Sequence, residues 1–212
     1  MIRCYSWPTP NGIKVHIMLE EIRLEYRVFG IDIAKGDQFK PSFLRISPNN
    51  KMPAIVDEQG IGGRPVSIFE SGAILLYLAE KTGYLLPKRK REKYETIQWL
   101  MFQMANLGPI LGQTHHYRDA ALERVPYAIN RFTDEAGRLY GVMDRRLAEA
   151  GHDPVVFDMH ENRGKVAEIA GRDLADRIDW HVGDIVRGSL SADVGDGLVL
   201  EEVGQAIGAQ DE

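Results

Sequence analysis

Residues 67–83 read Ser-Ile-Phe-Glu-Ser-Gly-Ala-Ile-Leu-Leu-Tyr-Leu-Ala-Glu-Lys-Thr-Gly, a short strand running into an apolar helix with a glycine at its end. At the junction an acidic side chain, Glu70, stands beside a hydroxyl, Ser71. Such a pair can grip a free amino-acid head. Glu70 takes the ammonium, while Ser71 and the unpaired N–H groups of the helix N-terminus take the carboxylate. The same two residues also make an ordinary helix cap, so what lies upstream must decide.

Upstream, residues 2–6 predict a strand, and Asn11 can cap a helix carrying Ile13, Ile17 and Met18 on one face. Tyr26 to Ile33 reads as a strand and Pro41 to Ile46 as a short helix stopped by Ser47-Pro48-Asn49-Asn50. Met52 to Val56 and Val66 to Phe69 predict two more strands, followed by a helix from Ser71 to Lys81 with Gly83 near its end. The order is βαβ, a short helix, then ββα. From Lys88 the texture becomes helical. Tyr94, Ile97, Leu100, Met101, Met104 and Leu107 predict a long amphipathic helix up to a break at Gly108-Pro109. A second helix starts near Pro126 and carries Tyr127, Phe132, Leu139, Met143 and Leu147.

The chain of 212 residues has 44% hydrophobic and 27% charged residues, ordinary for a globular protein with a sizeable core. No apolar run approaches the roughly 20 residues of a membrane helix, and the N-terminus lacks a signal-peptide layout. Its single cysteine excludes an intrachain disulfide and predicts a cytoplasmic location. Residues 151–212 hold 14 acidic against 5 basic side chains, whereas residues 1–150 hold 17 against 21. The tail is therefore different material. The basic run Lys88-Arg89-Lys90-Arg91 reads as a solvated helix start, with no nucleic-acid or membrane partner expected.

Three further features can carry chemistry. Thr9-Pro10-Asn11-Gly12 joins a strand to a helix, where a hydroxyl and an amide can hydrogen-bond a thiol and favour its thiolate. It can equally be a cap and turn. Met52-Pro53 precedes a strand; a cis bond there would present the Met52 peptide groups to an extended peptide, and a trans bond would be an ordinary strand start. Gln38, in a polar loop, can reach a carboxylate with help from Lys51, or simply be solvated. Cys4 falls in the first strand, sharing a face with Ile2, where a buried thiol is inert. His115 and His116 point apart on a helix, so no metal is expected.

The order and spacing of these pieces resemble the thioredoxin-like domain of glutathione transferases. The stretches "PTPNG", "FLRISPNNKMPAIVD", "FESGAILLYLAEKTG", "QWLMFQMANLGPILGQTHH" and "PYAINRF" are similar to the nu-class bacterial enzymes, the glutathione-dependent disulfide-bond oxidoreductases. The resemblance covers residues 1–147. It implies an α/β thioredoxin-like glutathione-binding domain over 1–87, then an all-α transferase-type domain over 88–150. It also implies that Thr9 and Asn11 hold the glutathione sulfur, that Gln38, Met52, Glu70 and Ser71 bind the tripeptide, and that Arg131 reaches a second glutathione. Glutathione is then a co-substrate, the partner a small disulfide or electrophile, and the assembly a homodimer.

The resemblance stops after Ala150, which leaves the helical domain incomplete and predicts lower stability than a full-length relative. Residues 151–212 form an atypical acidic tail. Within it, "LAEAGHDPVVFDMHENRGKVAEIAG" and "RIDWHVGDI" resemble the second strand, helix and third strand of a nucleotide-sugar epimerase, over residues 148–190. Asp158 would end the first of those strands, with a helix over 163–170. The Gly-rich phosphate loop of that family is missing, so the tail is not expected to bind NAD. Three functions stand at this point. The chain reduces small disulfides with glutathione, or conjugates glutathione to electrophiles, or is a non-catalytic glutathione-binding module.

Overall fold

The computed structural model describes residues 1–150 and two strands at 155–158 and 179–182. Strand β1, Ile2–Ser6, alternates in burial, with Ile2, Cys4 and Ser6 turned inward on one face. It pairs in parallel with β2 (Tyr26–Gly30) and antiparallel with β3 (Ala54–Asp57), which in turn pairs antiparallel with β4 (Val66–Phe69). The sheet order is β2-β1-β3-β4. Every residue of the central strand β3 is buried.

Helices α1 (Pro10–Glu21) and α3 (Ser71–Thr82) cover one face. Val15, Met18 and Leu19 of α1 meet Ile74, Leu78 and Ala79 of α3 over Ile2, Cys4 and Ile55 of the sheet. The other face carries a smaller cluster, Ile31, Phe43 and Ala54, with Phe43 supplied by α2 (Pro41–Leu44). Tyr5 stacks on Phe29 there at 5.0 Å.

Local chemistry moves three expected boundaries. The cap of α1 is Thr9, not Asn11: Pro10 takes the first helical position and the Thr9 hydroxyl accepts from Gly12 N–H. Strand β2 ends at Gly30 rather than Ile33. Asp32 accepts from the N–H groups of Ala34 and Lys35, forming a side-chain turn that competes with the ladder. Strand β3 starts at Ala54, two residues later than expected, behind a cis Met52–Pro53 peptide. Helix α3 closes on Gly83, whose φ of 70° is the left-handed cap that glycine favours.

The chain divides into two compact units at Ile97 and Gln98, within helix α4 (Lys90–Phe102). The expected break at Gly108-Pro109 is absent. Helical backbone continues through a π-turn at Gln103–Leu107, where Gly108 N–H reaches Gln103 O, into α5 (Gly108–His115) and a second π-turn at His116–Ala120. The wider turn sits directly before Pro109, whose ring an unbroken α-turn would crowd. In the second unit α5 lies against α6 (Pro126–Glu149). The Thr114 hydroxyl lies 3.1 Å from Phe132 O, and Tyr117 stacks on Phe132 at 5.4 Å. Leu139 of α6 is fully buried. Strands β5 (Val155–Asp158) and β6 (Asp179–Val182) fall where the tail's two strands are expected and pair in parallel; the helix expected at 163–170 lies outside the described residues. Among the described residues no helix is long and apolar enough to cross a membrane.

One polar cluster ties α3 to the sheet. Asp57, 1% exposed, accepts from Tyr77 Oη at 2.6 Å, Lys81 Nζ at 2.8 Å and Gln59 N–H at 2.9 Å. Burial alone pushes the Asp57 carboxyl up. The bonds from Lys81, Tyr77 and Gln59, with the Lys81 charge, outweigh it and hold the carboxyl below its ordinary 3.8. Its stabilising contribution is therefore complete above the unfolded value near 4 and fades as pH falls through the lower folded value. Lys81→Met should cost about 1–3 kcal/mol at pH 7, since a buried acceptor loses a partner. In denaturant titrations the gap to wild type should narrow below about pH 4.

Candidate functional site

Strand directions gather the site. Because β1 and β3 are antiparallel, Tyr5 near the end of β1 pairs with Ala54 at the start of β3, and Ala54 pairs with Phe69 at the end of β4. The residues just beyond these three ends are Thr9, Met52-Pro53 and Glu70, all on one edge of the sheet.

Thr9 is extended (φ −137°, ψ 157°), and its N–H donates to Trp7 O at 2.7 Å. Its hydroxyl accepts from Gly12 N–H at 3.4 Å and donates to Met52 Sδ at 3.7 Å. The hydroxyl thus already stands within donor distance of a sulfur. Met52 is held from behind by the Ile31–Phe43–Ala54 cluster. Asn11 is exposed in the first turn of α1.

Glu70 has φ 67° and ψ 117°, a left-handed conformation that a side chain adopts only when its surroundings impose it. The residue is exposed, and Asn49 Nδ2 donates to its Oε1 at 3.0 Å. Ser71 follows, buried, as the first residue of α3. Gln38 occupies the middle of a 3-10 turn, Asp37–Phe39. Its Nε2 donates to Ile33 O at 3.4 Å, while its Oε1 is buried without a partner among the described residues. Arg131 is exposed on α6 in the second unit.

The first unit thus brings Thr9 to Met52 and sets Glu70 and Ser71 at the neighbouring strand end. Two contributors are not evident from the sequence. Asn49 reads there only as a helix stop, and nothing in the chain announces a bond spanning 21 positions. Gly12 reads as a turn residue, yet a Cβ on it would lie 2.4 Å from Ser6 Oγ and 2.5 Å from Trp7 O. It is a glycine because α1 begins hard against the end of β1.

The chain's own thiol is no nucleophile. Cys4 is fully buried, and burial pushes its pKa up to about 12. Among the described residues no three His, Cys, Asp or Glu side chains gather in a way that can hold a metal ion.

Residues 1–80 match the glutathione S-transferase N-terminal domain family. Disulfide-bond oxidoreductase YfcG of Escherichia coli (strain K12) is 57% identical over 148 residues, covering 69% of this chain and 69% of that protein. This chain belongs to the glutathione transferase superfamily. A glutathione transferase family member from Pseudomonas fluorescens pf-5, solved with two glutathione molecules bound, superposes with a TM-score of 0.68 at 50% identity. That match covers 69% of this chain and 66% of the other, so the chain spans about two-thirds of the length of these relatives. A transferase from Pseudomonas putida, solved with one glutathione disulfide bound per subunit, gives a TM-score of 0.72 at 38% identity over 83% of this chain and 82% of its own.

The close approach at Gly12 carries a test of the transferase fold. Alanine in a helix is ordinarily better than glycine by roughly 0.5–1 kcal/mol. Here Gly12→Ala should instead destabilise by about 1–3 kcal/mol, because the contact on Trp7 O is backbone and cannot swing aside. A lowered melting temperature checks this; a raised one shows the turn to be compliant.

Proposed function

We propose that this protein is a glutathione-dependent disulfide-bond reductase acting on small disulfides. The observation that carries the reading is the Thr9 hydroxyl, fixed by the α1 cap and aimed at a sulfur 3.7 Å away. A glutathione thiolate entering there is a stronger acceptor than the thioether of Met52. The relative named as a disulfide-bond oxidoreductase and the structures solved with bound glutathione support the same reading.

Glutathione lies along the sheet edge in this reading. Thr9 and the Asn11 amide donate to its sulfur, with the α1 N-terminus adding positive field. Glu70 takes the α-ammonium, Ser71 and the α3 N-terminus the adjacent carboxylate, the Met52 peptide groups the ligand backbone, and Gln38 the glycine end. The domain assignment follows, with residues 1–87 binding this tripeptide and 88–150 supplying the helical part, where Arg131 meets a second glutathione.

The thiolate attacks one sulfur of the substrate disulfide. A new S–S bond forms as the old one breaks, and the departing thiolate takes a proton. The second glutathione, as thiolate, attacks the mixed disulfide and releases glutathione disulfide and the other substrate thiol. Two glutathione molecules are oxidised and one substrate disulfide is reduced to two thiols. The protein supplies orientation and charge stabilisation while the sulfur belongs to the ligand. A buried, unreactive Cys4 is consistent with that division of labour.

A cytoplasmic homodimer completes the proposal. Light scattering should give twice the 23.9 kDa chain mass.

A hydrogen bond to a charged group contributes about 1.5–3 kcal/mol. Replacing both sulfur-holding groups, Thr9→Ala with Asn11→Ala, should therefore lower kcat/KM for a small symmetric disulfide on the order of a hundredfold or more. Unchanged turnover would remove both residues from the mechanism. Faster reaction with an aromatic halide than with the disulfide would move the protein to the conjugating enzymes.

A further inference from the structure

The turn before β3 is built to hold one side chain in place. Ser47 is fully buried; its N–H donates to Phe43 O at 2.8 Å and its hydroxyl to Lys51 O at 2.7 Å. Asn50 N–H donates back to Ser47 O at 3.0 Å, and Asn50 takes a left-handed φ of 49°. Pro48 limits its own φ, so little backbone freedom remains between Ser47 and Lys51. From this turn Asn49 reaches the β4–α3 junction, donating from Nδ2 to Glu70 Oε1 at 3.0 Å.

Both ends of that bond are preset. Glu70 leaves β4 through its positive φ, so its side chain departs in a direction that an ordinary strand-to-helix step would not give. The bond occupies Oε1 and leaves Oε2 for a ligand. The donor is also neutral. A lysine at position 49 would satisfy the same oxygen but offset the negative charge that an ammonium needs, whereas an amide orients the carboxylate and leaves its charge whole.

We propose that Asn49 is a positioning residue for ligand selection: it fixes the Glu70 carboxylate so that the site favours thiols carrying a free α-ammonium over the same thiols without one. The inference rests on the proposed glutathione site and adds to it a residue that does not touch the ligand. Selectivity arises because a carboxylate held in one rotamer loses little freedom when the ammonium arrives.

The experiment is calorimetric titration of the full chain with glutathione and with its desamino analogue, γ-glutaryl-cysteinylglycine. It is run on wild type, Asn49→Ala, Glu70→Ala and the double variant. Asn49→Ala should weaken glutathione about three- to tenfold, the cost of ordering one rotamer-rich side chain when the ligand arrives. It should leave the analogue's affinity unchanged and add no loss in the Glu70→Ala background. In turnover, KM for glutathione should rise with kcat within about twofold, the pattern of lost ground-state binding. Equal losses for both ligands, additivity with Glu70→Ala, or unchanged glutathione affinity in Asn49→Ala would each overturn the inference while the glutathione site stands. Absence of binding by wild type would overturn both.

Discussion

Strand β3 is only four residues long, buried throughout, and hydrogen-bonded on both sides, and the first unit is organised by it. Its antiparallel pairing with β1 and with β4 forces three chain ends to the same edge of the sheet. The cap of α1, the cis Met52–Pro53 peptide and the start of α3 are neighbours because of that pairing. A shift of β3 by one residue would turn Ile55 out of the main core and Asp57 away from Lys81 and Tyr77. Both the apolar core and a polar anchor therefore reject it.

At the site edge the electrostatics are of two kinds. The Thr9 hydroxyl bonds to neutral groups, the Gly12 N–H and the Met52 sulfur, which in the proposed mechanism suits a soft anion that must stay reactive. At Glu70 the group is a carboxylate, which in the proposed mechanism fixes the far end of a ligand that takes no part in bond exchange. Remote binding of that sort places the reacting atom without stabilising it into inertness. In the proposed mechanism the protein needs no reactive thiol of its own, and Cys4 is an apolar filler of the core.

What could be read in the sequence follows the range of the interactions involved. Period-two burial marks β1, and helical spacing with a terminal glycine marks α3. Pro126 followed by regularly spaced apolar residues marks α6; these are local signals, and the elements lie where they point. Competition between local signals was harder. Asp32 has the composition of a strand end but acts through its side chain, and Gly108-Pro109 carries the chemistry of a break that a π-turn absorbs. The isomer of Met52–Pro53 has no sequence signature. The residue types at Thr9, Met52, Glu70 and Ser71 are legible in the sequence, whereas the Asn49–Glu70 bond and the crowding at Gly12 depend on through-space neighbours that a linear reading does not supply.

The two π-turns flanking α5 have a consequence for how this chain tolerates change. Each turn holds one residue more than regular α backbone needs, and each residue of an α-helix advances the side chains by about 100°. Removing a single position within 103–107 would relax that turn to ordinary pitch and leave the later side chains of α5 close to their present directions, whereas removing one from α5 itself would swing every later side chain by roughly that angle. The π-turns are thus the places where this helix can lose a residue with least disturbance to its packing. Thr114, which meets Phe132, lies in the regular helix between the two turns, where the register has no such slack.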